Sequence, residues 1–235
     1  GFDFLGEPVP YQWPSRSSYY GIIDLAGFPK DVYYMYQSEW TNKPVLHLFP
    51  HWNWKLGQTV DVWAYFSQAD EVELFLNGKS IGTSTKNDSS LHAMWRLKFV
   101  PGQLKAVSRK NGKIVLESSI QTAGDASRIV LRSAQSELNR AENELGFVEI
   151  TVVDAMGIPV QTADNLISLS VQGVGKIAAT DNGNPTALSP FGIPNKQLFN
   201  GKLLAMLKPT GGKGQIILEA TSPGLKPAKF IFKAR

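Results

Sequence analysis

The chain has 235 residues, above the usual single-domain size, and its 43% hydrophobic content with 12 Phe, 7 Tyr and 6 Trp supplies enough apolar matter for two cores, which excludes wholesale disorder. A formal charge of +4, with no run of five or more basic residues, argues against nucleic acid as a partner. The absence of Cys excludes disulfides, thiolate chemistry and cysteine-ligated zinc, and no stretch approaches the ~20 apolar residues of a membrane span.

The first stretch, residues 1–40, reads GFDFLGEPVPYQWPSRSSYYGIIDLAGFPKDVYYMYQSEW. It carries no initiator Met, charged n-region or apolar h-region, so neither a native N-terminus nor a signal peptide is expected here. Pro8, Pro10 and Pro14 enforce extended or turn backbone. Asp24, in GIIDLAG, reads as a turn-former. Pro29 suits a first helical turn and Asp31 puts negative charge near a helix N-terminus. Tyr33, Tyr36, Gln37 and Trp40 then fall at i, i+3, i+4 and i+7, which predicts a helix over Lys30 to Trp40 with an aromatic face.

After Pro44 the period changes to two. Strands are expected at Val45 to Phe49, Val60 to Phe66, Val72 to Leu76, Lys79 to Gly82, Met94 to Val100, Gln103 to Arg109 and Lys113 to Ile120. Asn77-Gly78 and Asn111-Gly112 are hairpin turns, since both residue types tolerate positive φ. Trp63 and Trp95, inside these alternating runs, are expected in the core. Residues 123–127 (AGDAS) read as a linker. Strand signals resume at Arg128 to Leu131, Gly146 to Val153, Leu166 to Val171, Lys176 to Thr180, Lys202 to Leu207, Gly214 to Ala220 and Ala228 to Phe232. Asp154 to Pro159 is a turn, Ser136 to Glu144 is compatible with a short helix, and Asp181 to Asn200 is a long irregular loop of the kind that is often functional. The fold class is therefore mainly β: two immunoglobulin-like β-sandwiches behind a short N-terminal segment of different character. The divisions expected are 1–42, 43–124 and 125–235.

GFDFLGEP, followed by SSYYGIIDLAGFPKDVYYMYQSEW, resembles the end of the catalytic barrel in glycoside hydrolase family two enzymes of the β-galactosidase type. PHWNW (50–54) with ADEVELFLNGKSIG is similar to the β domain that follows that barrel, and ATDNGNPTALSPF (179–191) with FNGKLLA to the last, bacterial-Ig or invasin-like domain. The resemblance covers the chain in the family's domain order. It implies the C-terminal part of a retaining exo-β-glycosidase, a β-galactosidase in the first place, with β-glucuronidases and β-mannosidases of the same family still open. It further implies a periplasmic or secreted parent acting on a carbohydrate through its catalytic domain, without cofactor or metal, and possible homo-oligomers through the β domains.

No catalytic residue is assigned, because the resemblance puts both the acid/base and the nucleophile Glu on barrel strands upstream of Gly1; the isolated chain is expected to be inactive. Asp3 and Glu7 follow a barrel strand's C-terminal end, where such active sites lie, and are candidate substrate-binding residues; the alternative is that they cap loop amides or pair with Arg16. Trp13, in a Pro-rich loop, is a candidate for the pocket rim. Trp52 and Trp54 share parity and offer either a sugar-stacking pair or interface packing. His47, His51 and His92 are too few and too separated to form a metal set. Asp181-Asn182-Gly183-Asn184 lacks the alternating acidic ligands and terminal Glu of a calcium loop and reads as an Asx turn. Two rivals of another class stand beside the glycosidase reading: a stand-alone carbohydrate-binding module using Trp52, Trp54 or the 181–200 loop, and an adhesin-like module.

Overall fold

The computed structural model describes residues 1–3, 5–6, 12–15, 17–86 and 90–235. The chain folds as two compact units, one formed by Pro29–Ala123 and the other by Gly1–Phe28 together with Gly124–Arg235.

The continuous unit begins with helix α1 (Asp31–Trp40) and continues with strands β1 (Leu46–Phe49), β2 (Thr59–Phe66), β3 (Glu71–Leu76), β4 (Lys79–Ser84), β5 (Ala93–Lys98), β6 (Gln103–Lys110) and β7 (Lys113–Gln121). They form a three-stranded sheet, β1-β2-β5, and a four-stranded sheet, β4-β3-β6-β7, all antiparallel. Alternation sets the two faces: Val60, Val62 and Ala64 point into the core, as do Val72 and Leu74 from the other sheet. Both Asn-Gly turns take the left-handed conformation their residues permit, with φ of 51° and 80° at Asn77-Gly78 and 50° and 74° at Asn111-Gly112. The Asn77 side chain does more than turn the chain. Its Oδ1 accepts the Gln103 amide at 2.8 Å and its Nδ2 donates to the Pro101 carbonyl at 3.1 Å.

Trp63 departs from expectation. Its neighbours Val62 and Ala64 are fully buried, so the period-two rule turns Trp63 to the opposite face of the sheet. There its ring lies flat on His92, centroids 4.0 Å apart and planes 3° apart. Trp95 does lie in the core. Helix α1 meets the sheet through Tyr34, stacked on His47 at 3.8 Å, and through Asp31, whose carboxylate is 2.7 Å from His47 Nε2. Trp40, on the expected aromatic face, is 77% exposed.

The discontinuous unit contains β8 (Arg128–Arg132), β9 (Glu137–Leu138), β10 (Gly146–Val153), β11 (Leu166–Gly173), β12 (Gly175–Asp181), β13 (Asn195–Gln197), β14 (Lys202–Pro209), β15 (Gly214–Thr221) and β16 (Ala228–Ala234). One sheet has the order β12-β14-β10-β8 and the other β13-β11-β15-β16-β9. Between them lies a core that includes Ile150, Val152, Leu203, Leu207, Ile216, Leu218 and Phe232. The helix considered for Ser136 to Glu144 is absent. Glu137–Leu138 is instead a short strand parallel to β16, burying Leu138, and the Glu144 carboxylate closes the loop by accepting the Asn139 amide (2.7 Å) and Gln135 Nε2 (2.6 Å). A single buried apolar side chain cannot hold a helical face on a core. The 181–200 stretch is less irregular than expected, because Asn195–Gln197 pairs with β11.

Candidate functional site

Within the discontinuous unit, residues 1–3 and 21–28 make a small platform of their own. Asp3 N donates to the Ile23 carbonyl and Ile22 N to the Gly1 carbonyl, both at 2.9 Å, giving a short parallel ladder. Asp3 is 5% exposed, and its carboxylate accepts the Gly21 amide at 2.8 Å. Only glycine fits at 21: a Cβ there would meet Asp3 N at 2.1 Å. Asp3 is thus held by its own segment and anchors the ladder.

The ladder runs directly into a tight turn. Asp24 Oδ1 accepts the amides of Ala26 and Phe28, both at 2.9 Å, while Asp24 N donates to the Phe28 carbonyl and Gly27 N to the Asp24 carbonyl. Gly27 sits at φ 87°. Asp24 is therefore a turn-former, as expected. The turn, Phe2 and Asp3 form one side of an open cleft of about 670 Å³, and Arg132, Phe147, Glu149 and Met206 from the outer face of the β12-β14-β10-β8 sheet form the other. Phe2 (62% exposed) and Phe147 (46%) give it an apolar floor. The carboxylates around it are engaged structurally: Asp3 with Gly21, Asp24 with Ala26 and Phe28, and Glu149 with Lys202 at 3.5 Å.

The other expected site residues are dispersed. Trp13 is 75% exposed in its turn. Glu7 and Arg16 lie outside the described residues, so the pairing considered for them does too. Trp52 and Trp54 belong to the continuous unit, and their expected parity does not apply because the segment is a turn rather than a strand. Asn53 N donates to His51 Nδ1 and Trp54 Nε1 to the His51 carbonyl, curling the backbone. Trp52 is 1% exposed, set edge-on to Phe99 and donating its indole N–H to the Val100 carbonyl at 3.0 Å. That ring has no face left for a sugar. Trp54 is half-buried with one face stacked on His51 at 4.6 Å.

In the 181–200 stretch, Asp181 Oδ1 accepts the amides of Asn182 and Gly183, Asn182 Oδ1 accepts that of Asn184, and Asn184 Oδ1 accepts that of Thr186. These are successive Asx turns. Among the described residues no three His, Asp or Glu side chains converge as a metal site would require.

Sequence reading passed over one recurrence. Asp154-Ala-Met-Gly-Ile-Pro159 repeats the spacing of Asp24-Leu-Ala-Gly-Phe-Pro29, and the two turns carry the same bonds. Asp154 Oδ1 accepts the amides of Met156 (2.9 Å) and Ile158 (2.8 Å), with Gly157 at φ 90°. Asp154 Oδ2 then accepts the Gly124 amide at 2.9 Å, and these bonds, that to Gly124 foremost, hold the carboxyl below its ordinary range.

With this geometry in view, the chain compares closely with known proteins. Residues 129–231 match the family described as glycoside hydrolase family 2 C-terminal domain 5, and residues 57–116 match a domain of unknown function. A β-galactosidase of Bacteroides ovatus is 53% identical over 97% of this chain, which covers 27% of that protein. A putative β-glucuronidase of Formosa agariphila is 35% identical over 88% of the chain and is covered to 21%. The crystal structure of a β-glycosidase from Bacteroides vulgatus superposes with a TM-score of 0.93 at 36% identity, over 99% of this chain and 30% of that one. The chain thus spans about a quarter of the length of the curated relatives it matches.

Proposed function

We infer the function from the premise that the chain belongs to glycoside hydrolase family 2, as a C-terminal, non-catalytic region of its enzymes. The parent we propose is a retaining exo-β-glycosidase that releases terminal β-galactosides, periplasmic or secreted. Residues 1–42 are the last loop and helix of its catalytic barrel, and residues 43–124 and 125–235 are the two β domains that support it. Asp3, Glu7 and Trp13 border the sugar pocket, with Asp3 held in shape by Gly21 rather than performing bond cleavage.

The observation that carries this reading is the 53% identity to the Bacteroides ovatus β-galactosidase along nearly the whole chain. The engagement of the cleft's carboxylates, Asp3 and Asp24 with loop amides and Glu149 with Lys202, supports it. Retaining hydrolysis needs two carboxyl groups about 5–5.5 Å apart that are available as acid and nucleophile. The β-glucuronidase names among the relatives keep a uronic-acid substrate as the second choice of sugar.

The test compares hydrolysis of chromogenic β-galactosides and β-glucuronides by this chain and by one extended upstream through a full barrel. Turnover of the galactoside by the extended chain alone is expected. Turnover by the 235-residue chain itself would sink the non-catalytic assignment, and preference for the glucuronide would replace the sugar. A stand-alone carbohydrate-binding module would instead give the short chain measurable sugar affinity. That alternative loses its best anchor with Trp52 in the core.

A further inference from the structure

The Asp24 turn does not stand alone on the sandwich. Gly183, at the centre of the 181–184 Asx turns, has φ 75°, and a Cβ built on it would lie 2.2 Å from Asp24 Oδ2 and 2.5 Å from Asp24 Cγ. No side chain fits between them. Nor can the Asp24 carboxylate swing aside at little cost, because its Oδ1 already holds the Ala26 and Phe28 amides. Four residues on, the Phe28 ring lies under Lys202 Nζ, 4.9 Å from the ring centroid, and Lys202 is itself oriented by Glu149. The segment is held at both ends of one turn, at Asp24 by the 181–184 loop and at Phe28 by the start of β14.

We propose that Gly183 and Asp24 form an intramolecular clasp through which the last β domain positions residues 1–28, with the Asp181–Asn184 turns serving as its seat. The path to Asp3 is short. Asp24 follows Ile23, whose carbonyl accepts the Asp3 amide, and Gly21 holds the Asp3 carboxylate. A shift at Gly183 is therefore passed to Asp3 through two backbone hydrogen-bonded residues. In the parent enzyme this makes Gly183 and Asp24 positioning residues for the pocket border, a consequence that rests on the function proposed above; the clasp itself does not.

The clasp is tested in the 235-residue chain by hydrogen exchange on Gly183→Ala, with Gly157→Ala as its partner control. Both substitutions place alanine at positive φ, but among the described residues the only neighbour of a Cβ at 157 is the flexible end of Arg128, at 3.1 Å. In Gly183→Ala the amides of Asp3, Ile22, Asp24 and Gly27 should lose at least about tenfold in protection while those of β11 and β15 keep theirs. Gly157→Ala should leave the 1–28 amides as in the wild type relative to β11 and β15. Unchanged protection in Gly183→Ala, or equal loss in both variants, overturns the clasp. If Gly183→Ala does not fold, Asp24→Asn keeps an Oδ1 acceptor for the Ala26 and Phe28 amides and puts an uncharged NH2 where Oδ2 meets Gly183; its 1–28 amides should then lose protection selectively, and retention overturns the proposal.

The functional arm uses the barrel-extended chain and a chromogenic β-galactoside. Gly183→Ala should lower kcat by about tenfold or more with little change in KM, since a misplacement of order 1 Å near a pocket costs up to ~100-fold in rate. Gly157→Ala should leave both constants unchanged. Wild-type kcat retained in Gly183→Ala refutes the positioning role. An inactive extended wild type, by contrast, counts against the proposed function and leaves the exchange result to decide the clasp.

Discussion

Asp24 and Asp154 occupy the same position in two copies of one turn, each accepting the amides two and four residues ahead on its Oδ1. What differs is the use of the second oxygen. Asp154 Oδ2 takes the Gly124 amide, whereas Asp24 Oδ2 abuts Gly183. The same local device thus fixes the start of the 124–235 segment in one place and residues 1–28 in the other.

The Asp154 carboxyl predicts an acid limb in stability. Its folded pKa is depressed, so its contribution is fully present above the ordinary aspartate value of about 3.9 and disappears as pH falls through the lower folded value. Thermal melts between pH 5 and pH 2 should show this decline in the wild type and a shallower one in Asp154→Asn, which should also melt lower at pH 7. Identical pH slopes would show that Asp154 is not among the groups responsible.

Two histidines act in the opposite charge sense at milder pH. Burial lowers the pKa of His51, against a smaller raising influence from Asp31, and burial lowers that of His92. Each is neutral in the fold at a pH where the unfolded chain already binds a proton. Their stabilising contribution is therefore complete above about pH 6.5 and is lost as pH drops through the lowered folded values. Urea midpoints at pH 7.5 and 5.5 should differ more for the wild type than for a His51→Gln, His92→Gln double variant.

Trp52 and Trp13 should separate cleanly. Trp52→Ala empties a fully buried site and is expected to cost about 3–5 kcal/mol in urea unfolding of the continuous unit. Trp13→Ala, at 75% exposure, should change stability by less than about 0.5 kcal/mol. In the barrel-extended enzyme Trp13→Ala should instead raise KM, and an unchanged KM would remove Trp13 from the pocket border.

Of the two Asn-Gly hairpins, the first is expected to be the less tolerant. Asn77→Ala loses the bonds to Gln103 N and Pro101 O as well as the left-handed preference, whereas the second turn is braced by Asp70 Oδ2 accepting the Asn111 backbone amide, which Asn111→Ala retains. Each lost neutral bond contributes roughly 1 kcal/mol, so Asn77→Ala should exceed Asn111→Ala by about 1–2 kcal/mol. Equal midpoints in urea would count against this reading.

The long strands were legible because alternation over five or more residues is a property of the local sequence. Gly146 to Val153 has the same ends in sequence and structure. Strands of two or three residues, Glu137–Leu138 and Asn195–Gln197, exist only through their partners and carry no local period. Trp63 was misread because being inside an alternating run says nothing about which face a residue takes; Val62 and Ala64 decide that. The Trp52–Trp54 parity failed where His51 curls the backbone. The Asp-x-x-Gly-x-Pro repeat was visible in the residues, but the link from Asp24 to Gly183 joins positions about 160 apart and leaves no mark in either segment.

That separation has a consequence during synthesis. The unit holding Gly1–Phe28 is interrupted by the whole of Pro29–Ala123, a compact unit continuous in sequence. At the usual 5–20 residues per second, Asp24 is made roughly 8–32 s before Gly183. Over that interval the inserted domain has time to fold before the seat of residues 21–28 has been synthesised.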